Sequence, residues 1–443
     1  MSPELLISAS IFVGTYVVIL TNKLERSLAA VSGGALMVGA GLIFGFYNER
    51  EVITEAIDWN TIGVLLGMMI FVGILKDTGL FETLAIWAAK LSRGDYFYMI
   101  LLFGLLAAIL STTIDNITTV LLVAPISMSI SSVLGVDPKP ILLSQGLFSS
   151  IGGVSTLIGD PPNIMISTAG GFNYLDYIYN LAPTVIICTT VTVIVFKFIF
   201  SEKTKQENKK IHREALRDIM ARKPSKEITD WSLLSKSLVT LGFIVIMFIL
   251  QSVLSITPAT VALAGAALIL ILARPDMSKI LDRVEWRTLL FFAGLFVLVH
   301  GVANTALLTK IAQGVLRLTR GNLLLSALTI LFLAAVGSGL VDNIPLTAVM
   351  LPIIGTLSAN LPGESNILLW ALAFGTGFGG NATYIGSPAN EMIVTISEDH
   401  KEPISMKYWI KYGTVITLIT TMIAGTVISI QIITPADLPF FPA

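Results

Sequence analysis

The chain has 443 residues, 54% hydrophobic and only 13% charged, with a formal net charge of −1. Its mean hydropathy is +0.83, and ordinary soluble domains carry about 25% charged residues, so the composition excludes a soluble enzyme and makes lipid the main solvent. No basic domain stands out to bind nucleic acid, and the single cysteine, Cys188, excludes a disulfide framework and a thiolate cluster for a soft metal or metalloid.

The opening residues MSPELLISAS carry no basic stretch ahead of their apolar run, so no cleavable signal peptide is expected and segment 5–20 stays as a span. Further apolar windows of spanning length follow at 27–46, 60–76, 140–172, 179–200, 233–254, 257–273, 286–304, 365–395 and 409–432. Two more apolar stretches, 96–134 and 322–361, are interrupted at the centre by polar residues. A re-entrant hairpin explains that pattern, its turn shielded inside protein at membrane depth. Segments 140–172 and 365–395 are broken by glycine and proline. Stretches 79–93 and 306–320 read as amphipathic helices along opposite membrane surfaces. Trp59 and Trp286 open spans as interfacial anchors, and Lys76 and Asp77 snorkel at the end of one. The expected fold is an all-α polytopic membrane protein of about ten transmembrane helices plus two re-entrant hairpins.

The longest polar segment, 201–230, holds nine Lys or Arg and belongs in the cytoplasm by the positive-inside rule. The loop at 45–58, with Glu49, Glu51, Glu55 and Asp58 against Arg50, then faces outside. Lys23, Arg26, Lys90, Arg93, Arg274, Lys279, Arg283 and Arg287 fall inside, whereas Lys310, Arg317 and Arg320 land outside against the rule. Three regions follow: a first transmembrane repeat over 1–200, a basic linker over 201–230, and a second repeat over 231–443.

A shift of 227 residues aligns the two halves without a gap. Trp59 meets Trp286, Ser111–Ile117 meets Ser338–Ile344, and Pro125 meets Pro352. Gly152, Gly153, Thr156, Gly159, Pro161 and Asn163 meet Gly379, Gly380, Thr383, Gly386, Pro388 and Asn390. Chance agreement between apolar sequences would fall on Leu, Ile and Val; these matches are Asp, Asn, Trp, Pro and Gly. Each half holds five spans and a hairpin, and because five is odd the second half enters the membrane inverted. Inverted repeats with interrupted helices are the architecture of secondary transporters, with the binding site at the midplane between them.

Each half contributes a hairpin tip, Asp115-Asn116 or Asp342-Asn343, and a break, Gly152–Asn163 or Gly379–Asn390. Glycine and proline interrupt the helix and free backbone groups at membrane depth. A carboxylate in hydrocarbon costs about 2.5–3.5 kcal/mol on insertion scales and ordinarily serves function, so Asp115 and Asp342 are candidates to hold a coupling proton or ion. The competing reading makes each the N-cap of the returning helix. Asp160 breaks the symmetry, its mate being Ser387, and reads either as an extra coupling carboxylate or as a solvated loop residue. Thr156, Asn163, Thr383, Ser387 and Asn390 offer neutral hydrogen-bonding groups to substrate, and Asn381 and Tyr384, unique to the second half, could shape selectivity. His300 lies within a span and reads as a proton relay or as a histidine satisfied by backbone. The sequence holds no GxxxxGK[ST] nucleotide motif, and His212, His300 and His400 are too dispersed for a metal site. No cofactor and no enzymatic activity are expected.

The tips STTIDNITTVLLVAPI and GSGLVDNIPLTAVMLPII, and the breaks GGVSTLIGDPPNIMIS and GGNATYIGSPANEMIV, resemble the ArsB/NhaD branch of the ion transporter superfamily. The GDPPN segment is similar to anion-permease-like and melanosomal P-protein members. The resemblance covers essentially the whole chain. It implies that Asp115, Asn116, Asp342 and Asn343 line the site together with the broken helices. It implies arsenite or antimonite efflux, sodium/proton antiport or other ion movement, in a cell (inner) membrane, with a homodimer or an associated ATPase subunit as partners to expect. Related dicarboxylate and citrate carriers show Ser-Asn-Thr at their tips; the Asp-Asn tips here count against a carboxylate substrate. Three carboxylates around a midplane cavity suit a proton, a sodium ion or a neutral metalloid hydroxide. Proton-coupled efflux of arsenite or antimonite by alternating access is therefore the leading expectation. A sodium/proton antiporter comes second and an inorganic-anion permease third.

Overall fold

Uncharged runs of Leu, Ile, Val and Ala have only their own backbone to satisfy their N–H and C=O groups, so in lipid they must close into helices. In a computed structural model that describes residues 3–21, 24–361 and 366–434, they do, and no strand occurs among those residues. Eight of the helices are long and apolar enough to cross a membrane, and shorter apolar helices accompany them. Lys23 lies outside the described residues.

The starts of the corresponding helices repeat at the 227-residue offset: Trp59 and Trp286, Tyr96 and Leu323, Asn116 and Asn343, Lys139 and Asn366, Pro161 and Pro388. Side-chain caps fix several of these starts. Asp95 accepts from the amides of Phe97 and Tyr98, and its counterpart Asn322 accepts from that of Leu325.

The packing sorts the helices into two groups. A frame consists of Pro3–Thr21, Arg26–Phe44, Trp59–Leu75 and their counterparts Trp231–Leu254, Pro258–Ala273 and Trp286–Ala303. Within it the halves interlock: Arg26–Phe44 lies along Trp286–Ala303, and Trp59–Leu75 lies along Pro258–Ala273. Both crossings are glycine contacts. A Cβ on Gly67 would stand 2.6 Å from the carbonyl carbon of Ala262, and one on Gly294 would stand 2.6 Å from that of Ala30, so neither position has room for a side chain. The second group comprises the two helical hairpins, the two broken helices, Ala182–Ile199 and Met406–Ile433. Amphipathic helices Leu80–Leu91 and Ala306–Thr319 run between frame and hairpins.

The indoles of Trp59 and Trp286 are about half exposed, as membrane anchors should be, and donate to the carbonyls of Ile53 and Leu281. Asp77, expected to snorkel, instead pairs with Arg283 of the other half at 2.6 Å. The basic segment 201–230 is folded against the first hairpin. Within it Ser201–Asn208 and Arg213–Ala221 are helical, and Glu207, 1% exposed, accepts from the Asp137 amide and pairs with Lys210 at 2.8 Å. Asn208 accepts from the Tyr96 amide, Lys90 donates to the Arg222 carbonyl, and the Thr229 amide donates to Thr78.

Candidate functional site

Each hairpin turns where its first arm ends, at Ser111 or Leu340, and restarts at Asn116 or Asn343 with an aspartate as N-cap. Asp115 accepts from the Thr118 amide at 2.9 Å and from the Thr118 hydroxyl at 2.6 Å. Asp342 accepts from the Ile344 amide at 3.0 Å. Both aspartates are thus caps, and both are also buried.

The broken helices stop at Gly153 and Gly379 and resume at Pro161 and Pro388, where the missing N–H of proline costs nothing in the first helical turn. Their loops are folded onto the hairpin tips by stitches that come in pairs. A Cβ on Gly152 would overlap the Ala108 carbonyl, and one on Gly379 the equivalent Ala335 carbonyl. Thr156 donates to the Thr112 carbonyl at 2.6 Å, and Thr383 to that of Gly339 at 2.7 Å. The Asn163 amide group donates to the carbonyls of Gly153, Val154 and Thr156, and that of Asn390 to Gly380 and to the side chain of Asn381. Asn381 in turn donates to Leu147 at 3.1 Å. Thr156, Thr383, Asn163 and Asn381, read from the sequence as groups offered to substrate, therefore spend their donors on holding the loops. Gly159 and Gly386 complete the fit, each abutting the serine carbonyl, Ser111 or Ser338, at the end of its hairpin arm.

What this scaffold presents is one carboxylate. Asp160 is 1% exposed, which removes the reading of a solvated loop residue. It accepts from the Nδ2 of Asn116 at 3.3 Å and from the Nδ2 of Asn343 at 3.2 and 3.3 Å. The two tips, from opposite halves, thus meet on a side chain present in only one half. The remaining oxygens of this pair, Asn116 Oδ1 and Asn343 Oδ1, are buried without a partner, as is the hydroxyl of Ser387, the mate of Asp160. Asn390 Oδ1 is likewise buried and unpartnered. A buried oxygen left unpaired costs about 1–3 kcal/mol, so the two asparagine oxygens at Asp160 are poised to accept from a ligand or to ligate a cation. No cluster of His, Cys, Asp and Glu that could hold a metal ion occurs among the described residues.

Three residues at the second tip escaped the sequence reading. Arg26 reaches Asp342 at 3.3 Å and grips Glu391 with both terminal nitrogens, at 2.8 and 3.1 Å. The Tyr16 hydroxyl donates to the Pro345 carbonyl at 2.8 Å. The available signal was Glu391, a carboxylate inside a broken helix where the first half has Ile164.

The structure does not bring His300 to this centre. It stands with its ring 5.5 Å from that of Tyr47 and lines a cavity of about 220 Å³ with Asp58, Met165, Thr168, Phe296 and Pro352, between the frame and the hairpin group. Tyr384 packs edge-on to Trp409 at 6.4 Å.

A family model described as a citrate transporter, CitMHS, matches residues 16–375. The chain is 37% identical to a 46 kDa membrane protein of Mycobacterium leprae over 424 residues, covering 95% of this chain and 97% of that one. It is 36% identical to an uncharacterized transporter of Mycobacterium tuberculosis, covering 95% and 96%. The human P protein is 31% identical over 93% of this chain, which spans 58% of that longer protein. Among solved structures, the YdaH transporter of Alcanivorax borkumensis has a TM-score of 0.55 at 15% identity, covering 95% of this chain and 100% of that one. MtrF of Neisseria gonorrhoeae, described as illuminating a class of antimetabolite efflux pumps, has a TM-score of 0.56 at 12% identity, covering 96% and 99%. At those identities the likeness concerns the fold alone. The chain is a membrane transporter that belongs to the CitMHS citrate-transporter family, within the ion transporter superfamily.

Proposed function

We propose that this transporter couples a cation, taken at Asp160, to the efflux of a small hydroxylated solute, with proton-driven export of arsenite or antimonite as its reaction. The observation that carries the reading is the meeting of both tip asparagines on the Asp160 carboxylate, with their own oxygens, Asn116 Oδ1 and Asn343 Oδ1, left unpartnered. Arsenous acid is neutral near pH 7 and presents hydroxyl donors, and those oxygens are acceptors. A free polycarboxylate would instead meet a carboxylate and no arginine or lysine at Asp160. Loading Asp160 with a proton or sodium ion takes the charge off the carboxylate and weakens its hold on the two amide groups, and with it the contact between the tips. The hairpins, which in this reading re-enter from opposite faces, can then part, and the hairpin group moves against the frame to alternate access.

Sodium/proton antiport is the second reading, favoured by the same unpartnered oxygens, which would ligate a sodium ion without help from a solute. Proteoliposome flux separates the two. Arsenite accumulation driven by a pH gradient in sodium-free buffer supports the first. Sodium-dependent proton movement with no arsenite uptake replaces it by the second. The basic segment 201–230 faces the cytoplasm in this scheme, so an Arg217→Cys variant, at an exposed position, should react with an impermeant thiol reagent only in inverted vesicles. Labelling in intact cells would reverse the orientation.

A further inference from the structure

We infer that Arg26 is a tethered counter-cation that clasps the second hairpin tip to the frame, and that a proton or sodium ion arriving at Asp342 takes its place and opens the clasp. Arg26 begins a frame helix, whereas Asp342 and Glu391 belong to the hairpin and the broken helix of the other half. Its guanidinium spans both carboxylates, at 3.3 Å from Asp342 and 2.8 Å from Glu391. Three residues along the same tip, the Tyr16 hydroxyl from another frame helix holds the Pro345 carbonyl. Both ties cross the boundary between the two helix groups, and they converge on residues 342–345.

The clasp is not inherited from the duplication. At the 227-residue offset the counterparts of Tyr16 and Glu391 are Phe243 and Ile164, and the helix that answers Arg26–Phe44 opens at Pro258, so none of them can form it. At the first tip, Asp115 is turned inward onto Thr118. One tip is therefore closed on itself, and the other is held from outside by charge.

A proton or sodium ion taken at Asp342, 5% exposed, offsets the charge that holds the guanidinium there and so competes with it. Neutralising Asp342 with a proton or a sodium ion removes one of the two carboxylates that hold Arg26, and the other, Glu391, is a partly exposed partner whose ion pair is weakly held. The other charged groups facing Asp342 are Glu391 itself and Asp160, reached through the neighbouring Asn343. Both favour arrival of a cation. This inference rests on the reading that a cation drives transport, but not on Asp160 being the group that carries it.

The test is a distance measurement between the two helix groups in the full chain. Spin labels are placed on Leu36 of the frame and Val336 of the second hairpin, both exposed, in a Cys188→Ser background. In sodium-free buffer at alkaline pH the clasped protein should give one dominant distance. Arg26→Gln should add a second population and shift the ratio by about tenfold, the size of one charge-assisted hydrogen bond. Acid or sodium chloride should move the wild type toward that same population, and should no longer move Arg26→Gln. Arg26→Lys, which keeps the charge, should hold the wild-type distance in sodium-free buffer, which separates loss of the clasp from loss of folding; thermal unfolding is checked for each variant. An Arg26→Gln distribution identical to wild type overturns the clasp, and indifference of the wild type to both cations overturns the displacement. Neither result bears on Asp160, whose own variant is read by flux.

Discussion

Replacing Asp160 with asparagine keeps the side chain's shape and removes its charge. In the structure the carboxylate accepts amide hydrogens from both tips, at 3.2–3.3 Å. The substituted side chain can still accept from one tip but turns its own amide donor toward the other, so about one charge-assisted hydrogen bond is lost, worth about 1.5–3 kcal/mol. Removal of a buried charge offsets part of that loss. Net stability should therefore change by about 2 kcal/mol or less, a shift of a few degrees at most in a chain this long. Coupling should respond on another scale: without a group to load, gradient-driven flux should fall by about 100-fold or more, while solute exchange down its own gradient persists. Asp115→Asn is the control, since that carboxylate is committed to Thr118; it should cost about the 1 kcal/mol of a cap and leave flux within a few-fold of wild type. The assay is proton flux in proteoliposomes beside thermal unfolding in detergent. Wild-type coupling in Asp160→Asn would refute the assignment, and loss of coupling in Asp115→Asn alone would move the site to the first tip.

Gly152→Ala and Gly379→Ala each push a methyl into a backbone carbonyl of the neighbouring hairpin arm, so each should destabilise by about 1–3 kcal/mol, and by similar amounts; thermal unfolding of the two single variants checks this, and a harmless Gly379→Ala would break the equivalence. Glu207→Ala strips the buried acceptor from the Asp137 amide and from Lys210 and should cost about 1–3 kcal/mol, seen as easier proteolysis of segment 201–230. His300→Gln should leave the coupling ratio in proteoliposomes unchanged, because the imidazole lies by Tyr47 and not at Asp160; altered stoichiometry would restore it as a proton relay.

The fold was legible because lipid removes choices: uncharged runs of spanning length must be helices, and the Gly, Pro and Asp matches at a fixed offset had no cause but duplication. The site was legible in part. Asp160 stood out because its mate in the second half is Ser387, and Asn116 and Asn343 because they sit at the two interrupted tips. Their convergence on one carboxylate was not legible, since it depends on how the second half folds back onto the first. Thr156 and Asn163 looked like ligand groups because composition cannot distinguish a donor aimed at a cavity from one aimed at a broken helix's own carbonyls. Arg26 was hidden by a rule that works elsewhere, which counts a basic residue beside a span as an orientation signal and does not ask what it touches. The buried role of Glu207 was hidden likewise by a segment whose composition reads as solvated.

The interlocked frame has a consequence for how the molecule is made. Trp59–Leu75 finds its partner in Pro258–Ala273, and Arg26–Phe44 finds its own in Trp286–Ala303, so neither early helix can bury its glycine face until some two hundred further residues have been synthesised. At about 5–20 residues per second, that interval is roughly 10–40 s. During that interval the newborn N-terminal helices stand in the bilayer with Gly67 and Ala30 facing lipid or a chaperone. Helices with small-residue faces pair readily in membranes, so the early segments are exposed to wrong partners for the whole of that wait. Expressed separately, the two halves should accumulate poorly, and should be rescued by co-expression only to the extent that each finds the other before it finds itself.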